Sequence, residues 1–172
     1  MRDGRNIVLF GFMGTGKTAV ARVLGKKLGR PVVEMDELIE EREGMAISRI
    51  FAERGERYFR RVERNLAREL SGGRGRIIAT GGGVVLDHDN IRDLARSGLS
   101  VCLTARPEAI LSRVAGESHR PLLERPDREK TVKRMLKERR PHYERIPHQV
   151  DTSDLSVEEV ADRVIGLMGN RE

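Results

Sequence analysis

The segment Gly11-Phe12-Met13-Gly14-Thr15-Gly16-Lys17-Thr18 constrains this chain more than any other. It follows the apolar run Ile7-Val8-Leu9-Phe10, which reads as a buried strand. After it, Val20, Val23, Leu24 and Leu28 fall on one helical face, and Gly29 and Pro31 end the helix. The spacing is G-x-x-x-x-G-K-[ST], set between a strand and a helix. Its glycines let the backbone curl so that successive N–H groups point at phosphate oxygens. The helix start adds the positive end of its dipole. Lys17 can reach the terminal phosphates, and the Thr18 hydroxyl can ligate Mg²⁺. Average residue usage puts a chance match in a chain this long below about 1%. The pattern therefore implies a bound nucleoside triphosphate, with Mg²⁺ as the cofactor.

Apolar runs and helix-period stretches alternate along the rest of the chain. Val32-Val33, Ile77-Ile78-Ala79, Leu99 to Leu103 and the neighbourhood of Val150 follow as strands. A charged helical region runs from Asp36 to about Leu70, broken near Gly44 and Gly55. Further helices are predicted near 89–97, 107–115, 127–140 and 156–168. The strands are continuous apolar runs, as in a parallel sheet covered by helices on both faces. One stretch, Gly116 to Pro126, has two prolines and no periodicity, and reads as a lid or as a plain surface connection.

Length and composition narrow the function. A chain of 172 residues fits one domain, 1–172. No apolar run approaches the roughly 18 residues needed to span a bilayer, and the N-terminus is not patterned as a signal peptide. Cys102 is the sole cysteine, so neither a disulfide framework nor a Cys-based zinc site is available. A cytoplasmic protein is expected, with no membrane partner. The net charge of +6 raises the question of nucleic acid. The basic residues are scattered, however, and there is no Trp, with two Tyr and four Phe, so platforms for stacking bases are scarce. No nucleic-acid partner is expected.

Two further strand ends carry chemistry. The second strand ends in Glu34-Met35-Asp36, and ligands in open α/β sheets bind beyond the carboxyl ends of strands. Alternation along an extended chain would put Glu34 and Asp36 on the same side. A carboxylate there can hold Mg²⁺ through water, accept from substrate hydroxyls or take a proton from an attacking hydroxyl. Asp36 could instead cap the helix that follows. The third strand ends in Thr80-Gly81-Gly82-Gly83, which offers either close backbone access to a ligand or a flexible turn. Arg60, Arg120, Arg139 and Arg140 are candidates for binding anions, the last two at the end of a helix before Pro141.

Taken in order, GFMGTGKT, VVEMDELIE, IFAERGERYFRRVE, IIATGGGVV, HRPLL and ERRPHYERI resemble shikimate kinase over nearly the whole chain. The resemblance implies a phosphate-loop NTPase-like three-layer α/β fold with a five-stranded parallel sheet, helices on both faces and a mobile lid at about 114–128. It implies an acceptor-binding segment at about 34–63, a monomer, and transfer of the ATP γ-phosphoryl group to the 3-hydroxyl of shikimate, in aromatic amino acid biosynthesis. Gly14, Thr15, Gly16, Lys17, Thr18 and Ala19 would wrap ATP phosphates, with Thr18 on Mg²⁺ and Glu34 on the metal through water. Asp36 would bind ring hydroxyls and accept the proton. Arg60 and Arg139 would clamp the shikimate carboxylate, with Glu63 holding Arg60 or the substrate and Gly81, Gly82 and Gly83 lining the acceptor. Arg120 would close over the phosphates, and Arg113 and Ser153 would lie on the adenine side. The catalytic residues would be Lys17, Asp36 and Arg120.

One departure stands out. The family usually carries D-x-D where this chain has Glu34-Met35-Asp36, so the first acid is longer by one methylene. Two alternatives are open from the residues alone: a kinase for another small hydroxy acid such as gluconate, and a nucleic-acid-associated ATP-binding module.

Overall fold

The computed structural model describes residues 4–115 and 127–169. Strand β1 (Asn6–Gly11) leads into helix α1 (Lys17–Leu28), then β2 (Val32–Glu34). Helices α2 (Met35–Glu43), α3 (Ile47–Arg54) and α4 (Glu56–Ser71) follow, then β3 (Ile77–Ala79). A 3₁₀ turn over Val84–Leu86 precedes α5 (His88–Ser97), β4 (Gly98–Thr104) and α6 (Pro107–Val114). Helix α7 (Arg128–Tyr143), β5 (His148–Asp151) and α8 (Val157–Gly169) complete the described chain.

The five strands form one sheet in the order β2-β3-β1-β4-β5, and every pairing is parallel. β1 is central, and Ile7, Val8, Leu9 and Phe10 are each 1% exposed or less. Side chains alternate across a strand, so each face of β1 has its own core. Ile7 and Leu9 pack with Val20, Ala21 and Leu24 of α1 and Val160, Ala161 and Val164 of α8. Val8 and Phe10 pack on the opposite face with residues of α2 to α7, among them Met35, Phe59, Leu66, Leu94 and Val132. The sheet and the helices on both faces match the sequence expectation.

Glycine stops work as predicted in the charged region. Gly44 closes α2 in the left-handed conformation, and Gly55 at φ 82° separates α3 from α4. The buried Asn6 latches the glycine-rich turn after α4, donating to the Gly73 carbonyl and accepting from the Arg76 N–H, both at 3.0 Å.

Two expectations need correction. Alternation does not carry Glu34 and Asp36 to one side, because helix α2 begins at Met35 and turns the chain between them. The second concerns α7, which does not end before Pro141 but runs through it to Tyr143. A proline forfeits one backbone bond inside a helix. Here the last turn is held from outside: the Gln149 side chain in β5 donates to the carbonyls of Tyr143 and Ile146 at 2.9 and 2.8 Å. Tyr143 itself is 6% exposed.

No described helix is long and apolar enough to cross a membrane. Residues 116–126, the centre of the expected lid together with Arg120, lie outside the described residues.

Candidate active site

The phosphate loop leaves β1 at the middle of the sheet and enters α1, as parallel α/β topology requires of a ligand loop. Gly14 and Gly16 have φ of 76° and 97°, conformations that a side chain disfavours. Thr15 is buried, and its hydroxyl donates to the Phe12 carbonyl at 2.7 Å, bracing the loop from inside. Lys17 bends over the loop, its ammonium donating to the carbonyls of Gly11 and Phe12. Thr18 and Ala19 are exposed in the first turn of α1.

Glu34 faces this end of the site. Its carboxylate accepts from the Thr18 hydroxyl at 3.1 Å and from the Arg22 guanidinium at 3.0 Å. Nothing in the sequence pattern singled out Arg22. It lies one turn beyond Thr18 on the same face of α1, and that spacing was its only signal.

Asp36 faces the other way. It lies in the first turn of α2, where the helix dipole favours an acid, and no side chain caps that helix. The capping role is therefore not realised. A Cβ on Gly81 would fall within 3.4 Å of both the Asp36 carboxyl group and Glu63 Oε2. At Gly83 a Cβ would collide with the Arg60 guanidinium, and at Gly82 one would lie 3.6 Å from Arg139 Nη1 and from the Met13 N–H nitrogen. Gly81 and Gly83 thus make room for charged side chains from α2 and α4, and Arg139 of α7 comes alongside Gly82.

Arg60 and Glu63 are three apart on α4 and pair at 3.0 Å, while Glu56 reaches Arg60 from the turn before, at 3.3 Å. Glu63 is 2% exposed. Burial raises its pKa to about 7, against the pull of the Arg60 charge and hydrogen bond; the Asp36 charge adds to the rise and Arg139 opposes it. Arg139 stands over the Phe12 ring, 5.7 Å from its centroid. The Tyr143 hydroxyl, one helical turn on, donates to the Gly82 carbonyl at 2.6 Å.

The matching family model is that of shikimate kinase, over residues 13–168. The chain belongs to the shikimate kinase family. A shikimate kinase of Thermodesulfovibrio yellowstonii is 43% identical over 161 residues, which cover 94% of this chain and 93% of that one. One from Pelotomaculum thermopropionicum is 44% identical over 164 residues, 95% of each chain. Among solved structures, shikimate kinase from Acinetobacter baumannii in complex with shikimate superposes with a TM-score of 0.91. It is 33% identical, with 95% of this chain and 92% of that chain covered. The fold of this kinase is thus the five-stranded, phosphate-loop NTPase-like architecture of the family.

The remaining expected residues lie beside the phosphate loop. Arg113 donates to the Gly14 carbonyl at 3.0 Å and to the Thr152 carbonyl at 2.7 Å. Thr152 also donates from its hydroxyl to the Thr15 carbonyl at 3.0 Å. The loop after β5 is therefore tied to the phosphate loop of the kinase. The Ser153 hydroxyl donates to Asp151 at 2.6 Å and accepts from the Arg106 N–H at 2.9 Å, while Arg106 pairs through both terminal nitrogens with Asp154. Ser153 thereby shapes this loop. Cys102 is buried in β4, and burial pushes its thiol up to about 12.

Tyr143 is hidden from sequence reasoning because Pro141, two residues before it, reads as a helix stop. Phe12 is hidden as a partner of Arg139 because that contact joins residues far apart in the chain.

Proposed function

We propose that this kinase transfers the γ-phosphoryl group of ATP to the 3-hydroxyl of shikimate, releasing ADP and shikimate 3-phosphate. The observation that carries this reading is the approach of Arg60, Arg139 and Asp36 to one glycine segment beside the phosphate loop. Two guanidinium groups suit a carboxylate, and an acid among them suits ring hydroxyls.

The loop N–H groups of 14–19 and the start of α1 would hold the β-phosphate. Lys17, now on loop carbonyls, would swing to the transferred group. Asp36 would orient the acceptor hydroxyl and take its proton as the new P–O bond forms. Arg60 and Arg139 would fix the acceptor carboxylate, with Glu63 steadying Arg60. Positioning and charge stabilisation then supply most of the rate. Arg120 would reach the phosphates from the lid, and Arg113 and Ser153 would border the adenine.

The residues at the Thr18 end fit a magnesium ion. A hydroxyl and a carboxylate within 3.1 Å of each other are hard oxygen donors. Among the described residues no cluster of three His, Cys, Asp or Glu could hold a metal alone, so water and phosphate oxygens would complete the shell. Mg²⁺ would neutralise phosphate charge there, with Thr18 as direct ligand and Glu34 acting through water. We further read the kinase as a cytoplasmic monomer.

ADP release from Mg·ATP, measured with shikimate, with gluconate, with RNA and with no acceptor, tests the reading. Shikimate-dependent turnover is expected. Turnover that follows gluconate or RNA and ignores shikimate would overturn it.

A further inference from the structure

We propose that Tyr143 is a positioning residue that sets the acceptor clamp in register with the phosphate loop. The inference rests on the shikimate reading above and adds a residue to it.

The Tyr143 ring is buried in the core on one face of the sheet, and its hydroxyl donates to the Gly82 carbonyl at 2.6 Å. The peptide plane is rigid, so fixing the Gly82 carbonyl also fixes the Gly83 N–H, which points the opposite way. Gly83 is the residue against which Arg60 packs. The same hydroxyl lies against Arg139, whose charge opposes the rise that burial imposes on the phenol. Arg139 and Tyr143 are four apart on α7 and so share a face. They share it only because the helix continues through Pro141, held by Gln149.

The tie reaches the phosphate loop as well. Gly82 lies against Met13, and Arg139 covers the Phe12 ring, both in the loop. One phenol hydroxyl therefore links α7, the glycine segment and both arginines of the clamp, next to the residues that carry the phosphates. A partly buried acceptor left without its donor carries a cost. Without the hydroxyl the Gly82–Gly83 peptide would be at liberty to rotate, and Arg139 would lose a neighbour. The arginine clamp would then hold the acceptor carboxylate less firmly, and the acceptor would bind more weakly.

The variant to make is Tyr143→Phe, which keeps the ring and its packing. Steady-state kinetics are expected to show the shikimate KM rising about tenfold, with the ATP KM within twofold of wild type. The melting temperature should fall by only a few degrees. A shikimate KM within twofold of wild type, or equal losses toward ATP and shikimate, would overturn the proposal. Should Tyr143→Phe fail to fold, Gln149→Ala loosens the same helical turn from outside, and the same selective rise in shikimate KM is expected. Failure of the shikimate reading shows separately, as absent shikimate turnover by the wild type. In that event the amide resonances of Gly82 and Gly83 decide: a large, local shift in Tyr143→Phe upholds the tie, and unchanged resonances overturn it.

Discussion

The two ends of the site are built in opposite ways. The phosphate end is one continuous octapeptide, Gly11 to Thr18, stabilised by bonds within itself, such as those of Thr15 and Lys17 to the Phe12 carbonyl. The acceptor end takes Asp36, Arg60, Glu63, Gly81–Gly83 and Arg139 from α2, α4, the turn after β3 and α7. It also buries a carboxyl group, Glu63, which the phosphate end does not. A loop that binds through backbone N–H groups needs only local glycine geometry. A pocket that binds a carboxylate and hydroxyls needs side chains from several directions, and the fold must bring them there.

The largest effect that would sharpen this contrast is expected at the phosphate end. Lys17→Ala should lower kcat on the order of a hundredfold to a thousandfold, as removal of a preorganised charge commonly does. Shikimate affinity should stay close to wild type, because the Lys17 ammonium is held on the Gly11 and Phe12 carbonyls of the phosphate loop. Single-turnover kinetics with an independent shikimate titration would check both, and parallel losses would break the division between the two ends.

Next in size is the buried acid. Glu63 is raised from a usual value near 4.5 to about 7, first by burial. The folded protein thus keeps a proton that the unfolded chain releases. The stability from this shift is fully present below about pH 4.5 and is lost as pH rises toward 7, in total about 3 kcal/mol. Denaturant unfolding of wild type and Glu63→Gln across that interval should show their difference falling with rising pH and levelling above 7. A difference independent of pH would mean that Glu63 is not buried as an acid.

Gly83→Ala tests how the acceptor end is made. Its new methyl group would strike the guanidinium of Arg60, the movable end of a long side chain. The fold should tolerate this, with Tm little changed, while the shikimate KM rises about tenfold as Arg60 is displaced. Unaltered shikimate kinetics would show that Arg60 does not act from the position seen beside Gly83.

The smallest effect is expected at Glu34→Asp. Shortening the acid withdraws it from Thr18 and Arg22, but the Arg22 side chain is 63% exposed, and such pairs contribute little. Apparent Mg²⁺ affinity, followed by Mn²⁺ competition, should change less than about fivefold. A larger loss would mean that the longer acid is required in this chain.

Legibility followed the same division. Ile7 to Phe10, the glycine-lysine loop and the helical face of Val20 and Leu24 were plain in the sequence, since strand, turn and helix each depend on neighbours a few residues away. Gly44 and Gly55 as helix stops were equally plain. The direction of Asp36 was not, because the onset of α2 at Met35 reverses what strand alternation implies. Nor was the passage of α7 through Pro141, which depends on Gln149 arriving from β5.

Local patterns in the chain were enough to specify the parallel α/β class, the phosphate loop and the identity of the charged residues. These follow from short-range periodicity, turn chemistry and residue type. Packing of separate elements was needed to set Glu34 beside Thr18 and Asp36 beside Glu63, to seat Arg60 where Gly83 makes room for it, and to bring Tyr143 to Gly82. Those arrangements join residues as many as 61 positions apart. Such pairings arise when separate helices pack on one sheet, and no local pattern encodes them.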